Sequence, residues 1–218
     1  MKQHAVAVSH HHWLTKHAFE VRFRRPENFD FVAGQKIRIA YQSMTRDYSL
    51  INTPQDDHLA ICVRHIPNGT VSPALAAAKS GQRFQVSEAF GYFTYQASER
   101  PAVFVATGTG TAPFVAYVRS GVRRFALLHG VRSTGDLYYR DIVAPPARSY
   151  TACVSQLTPD NAAKDQIFAG RVTHYLQNDL SAGRYDFYLC GRGEMVRDAM
   201  AVIDGRFDGG RVYTETFF

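Results

Sequence analysis

The sequence is short of the features that would commit it to a metal, a disulfide framework or a membrane. Its 218 residues include only three cysteines. These are Cys62, Cys153 and Cys190, and no two are close enough to form a Cys-x-x-Cys pair. That spacing argues against a zinc site, a disulfide scaffold and an iron–sulfur cluster. Any redox chemistry would therefore depend on a bound organic cofactor. No stretch approaches the roughly 20 consecutive apolar residues of a membrane span. The longest, residues 103–118, is broken by Gly108, Gly110 and Pro113. The N-terminal segment lacks the apolar centre of a signal peptide, because His10, His11 and His12 interrupt it. A cytoplasmic protein is expected. The three histidines read as solvated residues of a strand edge, with no carboxylate or cysteine nearby in sequence to complete a metal site. There is no internal repeat and no low-complexity segment.

What is present is ordinary for a globular protein, with 45% hydrophobic and 20% charged residues. The length suits one large domain or two modest ones. A formal charge of +6 suggests an acidic partner. The arginines are scattered and no nucleic-acid motif accompanies them, so nucleic acid is not expected.

Along the first hundred residues, segments 5–13, 18–24, 36–41, 47–50, 59–65 and 83–86 alternate or are rich in β-branched and aromatic side chains. Pro26, Gly34, Pro54, Asn68-Gly69 and Gly81 punctuate them. One helix is predicted over 72–79, with Ser72 as N-cap and Pro73 at its first position. Six short strands with one helix suggest an antiparallel barrel. After Ser98 the character changes. Apolar runs at 102–106, 124–129, 149–154, 186–189 and 211–214 alternate with helix-compatible segments at 112–120, 137–142, 172–180 and 194–203. That alternation predicts a five-stranded parallel sheet with crossover helices. Two domains are expected, 1–98 and 99–218, meeting in the polar stretch 96–100.

Five motifs carry chemistry. Thr107-Gly108-Thr109-Gly110-Thr111-Ala112-Pro113 follows a strand and opens a helix, where glycines let a backbone approach a pyrophosphate and helix N–H groups face it. The same turn can also be a plain strand–helix connection. Arg46-Asp47-Tyr48-Ser49-Leu50 offers a phosphate clamp, an aromatic platform and a hydroxyl, or simply a polar–aromatic strand. Asn68-Gly69-Thr70-Val71-Ser72 offers backbone N–H groups and two hydroxyls at the barrel helix. Tyr188-Leu189-Cys190-Gly191-Arg192-Gly193-Glu194-Met195 puts Cys190 where a strand ends and a helix begins, at the sheet edge where α/β ligands bind. A buried apolar thiol is the alternative there. Tyr213-Thr214-Glu215-Thr216-Phe217-Phe218 leaves two phenylalanines to pack on the protein or on a ligand ring.

In this order, Arg-x-Tyr-Ser, Gly-x-x-Ser, Gly-x-Gly-x-x-Pro, Cys-Gly-x-x-x-Met and Glu-x-aromatic, the motifs resemble those of the ferredoxin–NADP reductase family over essentially the whole chain. The runs Pro67-Asn68-Gly69-Thr70-Val71-Ser72-Pro73, Val86-Ser87-Glu88-Ala89-Phe90-Gly91-Tyr92-Phe93 and Leu128-His129-Gly130-Val131-Arg132 are similar to its bacterial ferredoxin/flavodoxin branch. The resemblance implies an antiparallel β-barrel FAD-binding domain followed by an α/β parallel-sheet NAD(P)-binding domain, with FAD in the cleft between them. It implies that Arg46 binds the FAD pyrophosphate, Tyr48 packs on the isoalloxazine and Ser49 lies near flavin N5. Leu50 and Val63 join these as cofactor-binding positions. Gly69, Thr70, Val71 and Ser72 would hold the FAD pyrophosphate. Thr107, Gly108, Thr109, Gly110 and Pro113 would carry the nicotinamide dinucleotide's phosphates. Cys190, with Gly191 and Met195, would flank the nicotinamide, Phe217 would cover the flavin, and Glu215 matches the acidic residue near the active site. Ser49, Cys190 and Glu215 would tune hydride transfer between nicotinamide and flavin.

The strand 124–129 runs into Gly130-Val131-Arg132 with no carboxylate for a ribose 2′-hydroxyl. With Arg132 and Arg171 available to a 2′-phosphate, NADP is the expected nucleotide, although a third basic position of the branch is Gln156 here. A ferredoxin or flavodoxin-like acidic carrier is the implied partner, and a monomer is expected. A longer tail that contacts the FAD adenine in several relatives, and the ferredoxin domain of fused reductases, have no counterpart in this sequence. Two other functions share the motifs, the reductase component of an oxygenase and a flavin-bearing electron-transfer subunit of a larger complex.

Overall fold

In the computed structural model, residues 2–157 and 167–217 are described. The chain divides into two compact units. The first comprises the residues up to Tyr95 together with Ala112–Ser120; the second comprises Gln96–Thr111 and the residues from Gly121 onward.

In the first unit, strands β1 (Gln3–Trp13), β2 (Ala18–Arg24), β3 (Lys36–Tyr41), β4 (Met44–Ser49), β5 (His58–Arg64) and β6 (Arg83–Ser87) are joined in the order β4-β3-β6-β1-β2-β5. All pairs are antiparallel, and a bridge between Leu50 and Ile61 brings the two ends together into a nearly closed barrel. Alternation decides which side chains fill it. Val6 and Val8, Ile37 and Ile39, Phe84 and Val86 point inward with Phe19, Val21 and Phe23. A register shift between Val8 and His10 breaks the pattern of β1. A one-residue bulge exchanges the two faces, so His11 faces the same way as its partner Val21. His11 is accordingly half-buried, whereas the sequence suggested a solvated residue. Its ring lies 4.9 Å from that of Phe19, and burial lowers its pKa, with His10 and His12 adding to the effect.

The barrel helix α1 (Val71–Ala76) is shorter than the predicted 72–79 and starts earlier. Thr70, not Ser72, is its N-cap, and it makes no side-chain cap bond. Ser72 sits inside the first turn, where its Oγ accepts the N–H of Ile66 at 3.1 Å. The helix α2 (Ala112–Arg119) also belongs to this unit. The Tyr117 hydroxyl donates to the Phe93 carbonyl at 2.7 Å, and the Arg119 guanidinium donates to the Ile51 carbonyl at 3.0 Å.

The second unit is a parallel sheet of six strands, not the five expected: β7 (Ala102–Thr107), β8 (Ala126–Val131), β9 (Ser149–Val154), β10 (Ile167–Ala169), β11 (Asp186–Arg192) and β12 (Arg211–Phe217). Their order is β10-β9-β8-β7-β11-β12, every pair parallel. β10 has three residues, too few for periodicity to reveal. The central strands are buried on both faces, as parallel strands covered by helices must be. In place of a helix over 137–142, there is a 3-10 turn Thr134–Asp136 and a short helix α3 (Arg140–Val143). Tyr139, at φ 61°, interrupts the helical run between them. Helices α4 (Val172–Asn178) and α5 (Gly193–Arg206) pack under Leu128, Phe187 and Leu189. Among the described residues no helix is long and apolar enough to cross a membrane.

Candidate functional site

Each unit assembles its own set of the expected residues. In the first, β4 includes Arg46, whereas the sequence suggested a strand from Asp47. Strand alternation therefore puts Arg46 and Tyr48 on one face and Asp47 and Ser49 on the other. Asp47 is engaged by two of the guanidinium nitrogens of Arg38, at 2.7 and 3.0 Å. Arg46 is exposed, and one of its Nη atoms donates to the Thr45 carbonyl at 2.7 Å. Tyr48 packs half-buried on the barrel core, and burial pushes its phenol well above the usual range while the Arg46 charge opposes the shift. Helix α1, which follows Gly69 and Thr70 and includes Ser72, packs on β3 and β4. The Gly69 N–H donates to the Ile66 carbonyl at 2.9 Å, so this donor and the Ser72 oxygen hold the loop. The Thr70 hydroxyl is not committed to the helix cap.

Three expected contact residues of this unit have side chains in the core. The side chains of Leu50 and Val63 are fully buried in the barrel core, and that of Val71 is 2% exposed in the same cluster. Only their backbones are available to a ligand. Met195 in the second unit is similarly part of a hydrophobic core.

In the second unit the chain winds outward from β7 in one direction through β8, β9 and β10, then returns to the other side of β7 as β11 and β12. The point between β7 and β11 is a topological switch, where open parallel sheets form ligand crevices beyond the strand carboxyl ends. Thr107 ends β7, and the turn Gly108–Thr111 is a 3-10 helix. This turn lies directly on β11. A Cβ on Gly110 would be 2.2 Å from the Cys190 carbonyl oxygen, and one on Gly191 would be 2.1 Å from Thr107 Oγ1. Glycine at both positions permits these close approaches. β11 does not stop at Cys190, as the sequence suggested, but continues through Gly191 to Arg192. β12 likewise extends to Phe217, so Glu215 is registered with Cys190, Thr216 with Gly191 and Phe217 with Arg192. The Cys190 side chain is fully buried, while Glu215 and Phe217 are half-buried. Pro113 is buried in α2, and so groups with the barrel unit instead of the turn that precedes it.

On the other side of the switch, register aligns the carboxyl ends of β8, β9 and β10. Val131 pairs with Val154, and Val154 with Ala169. Arg132, Gln156 and Arg171 follow within two residues of those ends. The Gln156 N–H donates to the Arg132 carbonyl at 2.9 Å, and Arg171 is the exposed N-cap of α4. Asp136 is tied to the Ser133 hydroxyl at 2.9 Å.

Among the described residues, His11 Nε2 and Asp186 Oδ1 are buried without a hydrogen-bond partner, and so are two hydroxyl oxygens, Ser49 Oγ in the barrel unit and Thr107 Oγ1 at the switch point. Buried polar atoms are rarely left so, and both hydroxyls belong to expected contact residues, which fits polar cofactors at these positions. The sequence motifs gave no role to His129 or Tyr150, which with Thr111 of the turn form a buried hydrogen-bonded chain.

Residues 5–95 match the family model described as an oxidoreductase FAD-binding domain, and residues 104–201 match the oxidoreductase NAD-binding domain. A toluate 1,2-dioxygenase electron transfer component from Pseudomonas putida is 32% identical over 180 residues, spanning 76% of this chain and 52% of that protein. The chain spans about half the length of several such relatives. A flavodoxin/ferredoxin–NADP reductase from Buchnera aphidicola is 30% identical over 190 residues, with 79% of this chain and 72% of the relative covered. The fold is also that of a ferredoxin NADP+ reductase from Neisseria gonorrhoeae solved with bound FAD and NADP, at a TM-score of 0.86 and 22% identity over the full length of both chains. An FAD-binding domain match, an NAD-binding domain match and a relative of this coverage together place the chain in the ferredoxin–NADP reductase family of flavoprotein oxidoreductases.

Proposed function

We propose that the chain carries electrons from a nicotinamide dinucleotide through FAD to a one-electron carrier protein of the ferredoxin or flavodoxin type. Residues 1–98 hold the flavin and residues 99–218 the dinucleotide. The matched families support this division, since one ends at residue 95 and the other begins at 104. The observation that carries the reading is the switch point, where the Gly108–Thr111 turn is seated on the backbone of Cys190.

FAD, when bound, supplies the chemistry that accepts a hydride and releases electrons singly. The protein's part is positional. Arg46 pairs with the flavin's pyrophosphate beside Gly69 and Thr70, Tyr48 offers its ring, and Ser49 its hydroxyl. Thr107, Gly108, Thr109 and Gly110 seat the nucleotide phosphates. Cys190 and Gly191 orient the nicotinamide, with Glu215 on the neighbouring strand and Phe217 against the flavin ring. Arg132 and Arg171, flanking Gln156, favour NADPH by pairing with its 2′-phosphate. The charge of +6 favours an acidic carrier, and a cytoplasmic monomer is the assembly proposed.

The test is the visible spectrum of the purified protein, with the released flavin identified and ferricyanide turnover measured with NADPH. Bound FAD and sustained turnover are expected. A colourless protein that gains no flavin spectrum on adding FAD would sink the reading. The Pseudomonas relative favours a second reading, an oxygenase reductase component. Comparing ferredoxin with an oxygenase as acceptor separates the two. A bare electron-transfer subunit would fail the ferricyanide assay without its complex.

A further inference from the structure

The run Ala126–Val131 has one polar side chain in an apolar strand, and it is completely buried. His129 is flanked in register by Ala106 on β7 and Ala152 on β9, whose small side chains leave the imidazole room to reach past both strands. One ring nitrogen, Nε2, lies 3.0 Å from Thr111 Oγ1, and the other, Nδ1, lies 3.1 Å from the Tyr150 hydroxyl. Thr111 Oγ1 also lies 3.2 Å from the Gly108 carbonyl, to which it donates.

Counting protons gives the chain a direction. A hydroxyl has one proton, and the Thr111 proton is committed to a carbonyl that can only accept. Thr111 Oγ1 must then accept from His129, so Nε2 carries the ring's proton and Nδ1 accepts from Tyr150. Every donor is used once, and each ring nitrogen has a partner. The Arg140 guanidinium rests on the Tyr150 ring, 5.4 Å from its centre. A second positive charge on the imidazole is disfavoured there, and burial first, then Arg140, lowers the His129 pKa to about 4.

We propose that His129 is a positioning residue for the dinucleotide-binding turn. As the neutral Nε2–H tautomer it ties Tyr150 to Thr111 and, through Thr111, fixes the carbonyl of Gly108. Gly108 opens the 3-10 turn at φ +55°, so its carbonyl direction sets how the following amides are presented. The chain of bonds anchors that direction to β8 and β9, two interior strands of the sheet. The nucleotide consequence rests on the proposed function, whereas the anchoring of the turn does not.

Two measurements separate them. The first is amide hydrogen exchange of the turn in protein without nucleotide, for wild type, His129→Leu, His129→Gln and Thr111→Val. The second is the dissociation constant of NADP+ by calorimetry, with KM and kcat for NADPH and the flavin content of each variant. His129→Leu and Thr111→Val should speed exchange across the turn at least tenfold. They should weaken NADP+ and raise KM about tenfold, the loss falling on KM more than on kcat while flavin stays bound. Glutamine can accept from Tyr150 with its carbonyl and donate to Thr111 with its amide, so His129→Gln should restore both readouts to within about threefold. Wild-type exchange in His129→Leu would overturn the proposal, and so would a folded His129→Gln no better than His129→Leu. Wild type that binds no nucleotide would refute the proposed function and leave the exchange comparison to decide on His129.

Discussion

Replacing Gly110 by alanine tests whether the contact between the turn and β11 is what holds the nucleotide site in register. The added Cβ would sit 2.2 Å from the Cys190 carbonyl oxygen, 2.6 Å from its carbonyl carbon and 2.9 Å from the Gly191 Cα. Comfortable separations are about 3.5–4.0 Å, so one side must withdraw by roughly 1 Å. β11 is held on both flanks, Cys190 being registered with Ala106 of β7 and with Glu215 of β12. The turn is therefore the part that moves. Overpacking of this kind costs about 1–3 kcal/mol of stability. A displacement of roughly 1 Å at a site that aligns a hydride donor can slow the reaction about 100-fold, or about 2.7 kcal/mol in barrier. The assay is stopped-flow bleaching of the flavin by NADPH, with dithionite reduction as a nucleotide-independent control. Gly205→Ala serves as the matched control, because a Cβ there meets nothing within 4 Å. Gly110→Ala should bleach slowly with NADPH and normally with dithionite, and Gly205→Ala should behave as wild type. Wild-type NADPH bleaching in Gly110→Ala would refute the argument.

Three further outcomes are expected. Arg132→Ala and Arg171→Ala should each lower kcat/KM for NADPH by about 1.5–3 kcal/mol in transition-state terms and barely affect NADH; equal losses with both nucleotides would withdraw the preference. Cys190→Ala should slow flavin reduction while FAD stays bound, and an unchanged rate would leave Cys190 as a packing residue alone. His129 binds a proton in the unfolded chain near its ordinary value of 6.5, but in the folded protein only near 4. Between those values the unfolded state holds the extra proton, so stability falls as pH drops from about 6.5 to 4, by up to about 3 kcal/mol. Denaturant melts should show wild type losing stability relative to His129→Gln as pH falls across that window, and parallel curves would show that His129 does not titrate this way.

Much of the architecture was legible because the signals were local. Alternating segments gave the barrel strands, and the Gly-x-Gly turn between an apolar strand and a helix marked the first strand of the parallel sheet. Failures arose where a local signal was too short or was overridden. β10 is only Ile167–Ala169, and the bulge near Ser9 turned His11 inward against a pattern that read as solvated. The helix start at Thr70 was misplaced because Ser72 looked like a cap, whereas its hydroxyl serves a bond six residues back. Motif order located Leu50, Val63, Val71 and Met195 without indicating that their side chains are core. His129 lay in plain view inside an apolar run. Its partners are 18 and 21 residues away, a separation that no window of sequence can connect.

The membership of Ala112–Ser120 in the barrel unit affects how the protein is made. A ribosome delivers the last barrel strand when Ser87 emerges, yet Tyr117 and Arg119, which bond the carbonyls of Phe93 and Ile51, follow about thirty residues later. At roughly 5–20 residues per second, the nascent barrel waits some seconds with the Phe93 ring uncovered. The Tyr117 ring also takes the space beside Gly34, where a Cβ would come within 2.6 Å of it. The barrel is thus completed by a segment synthesised after the first strand of the next sheet, and a nascent chain arrested between Ser98 and Ala112 would expose those aromatics to aggregation or chaperone capture.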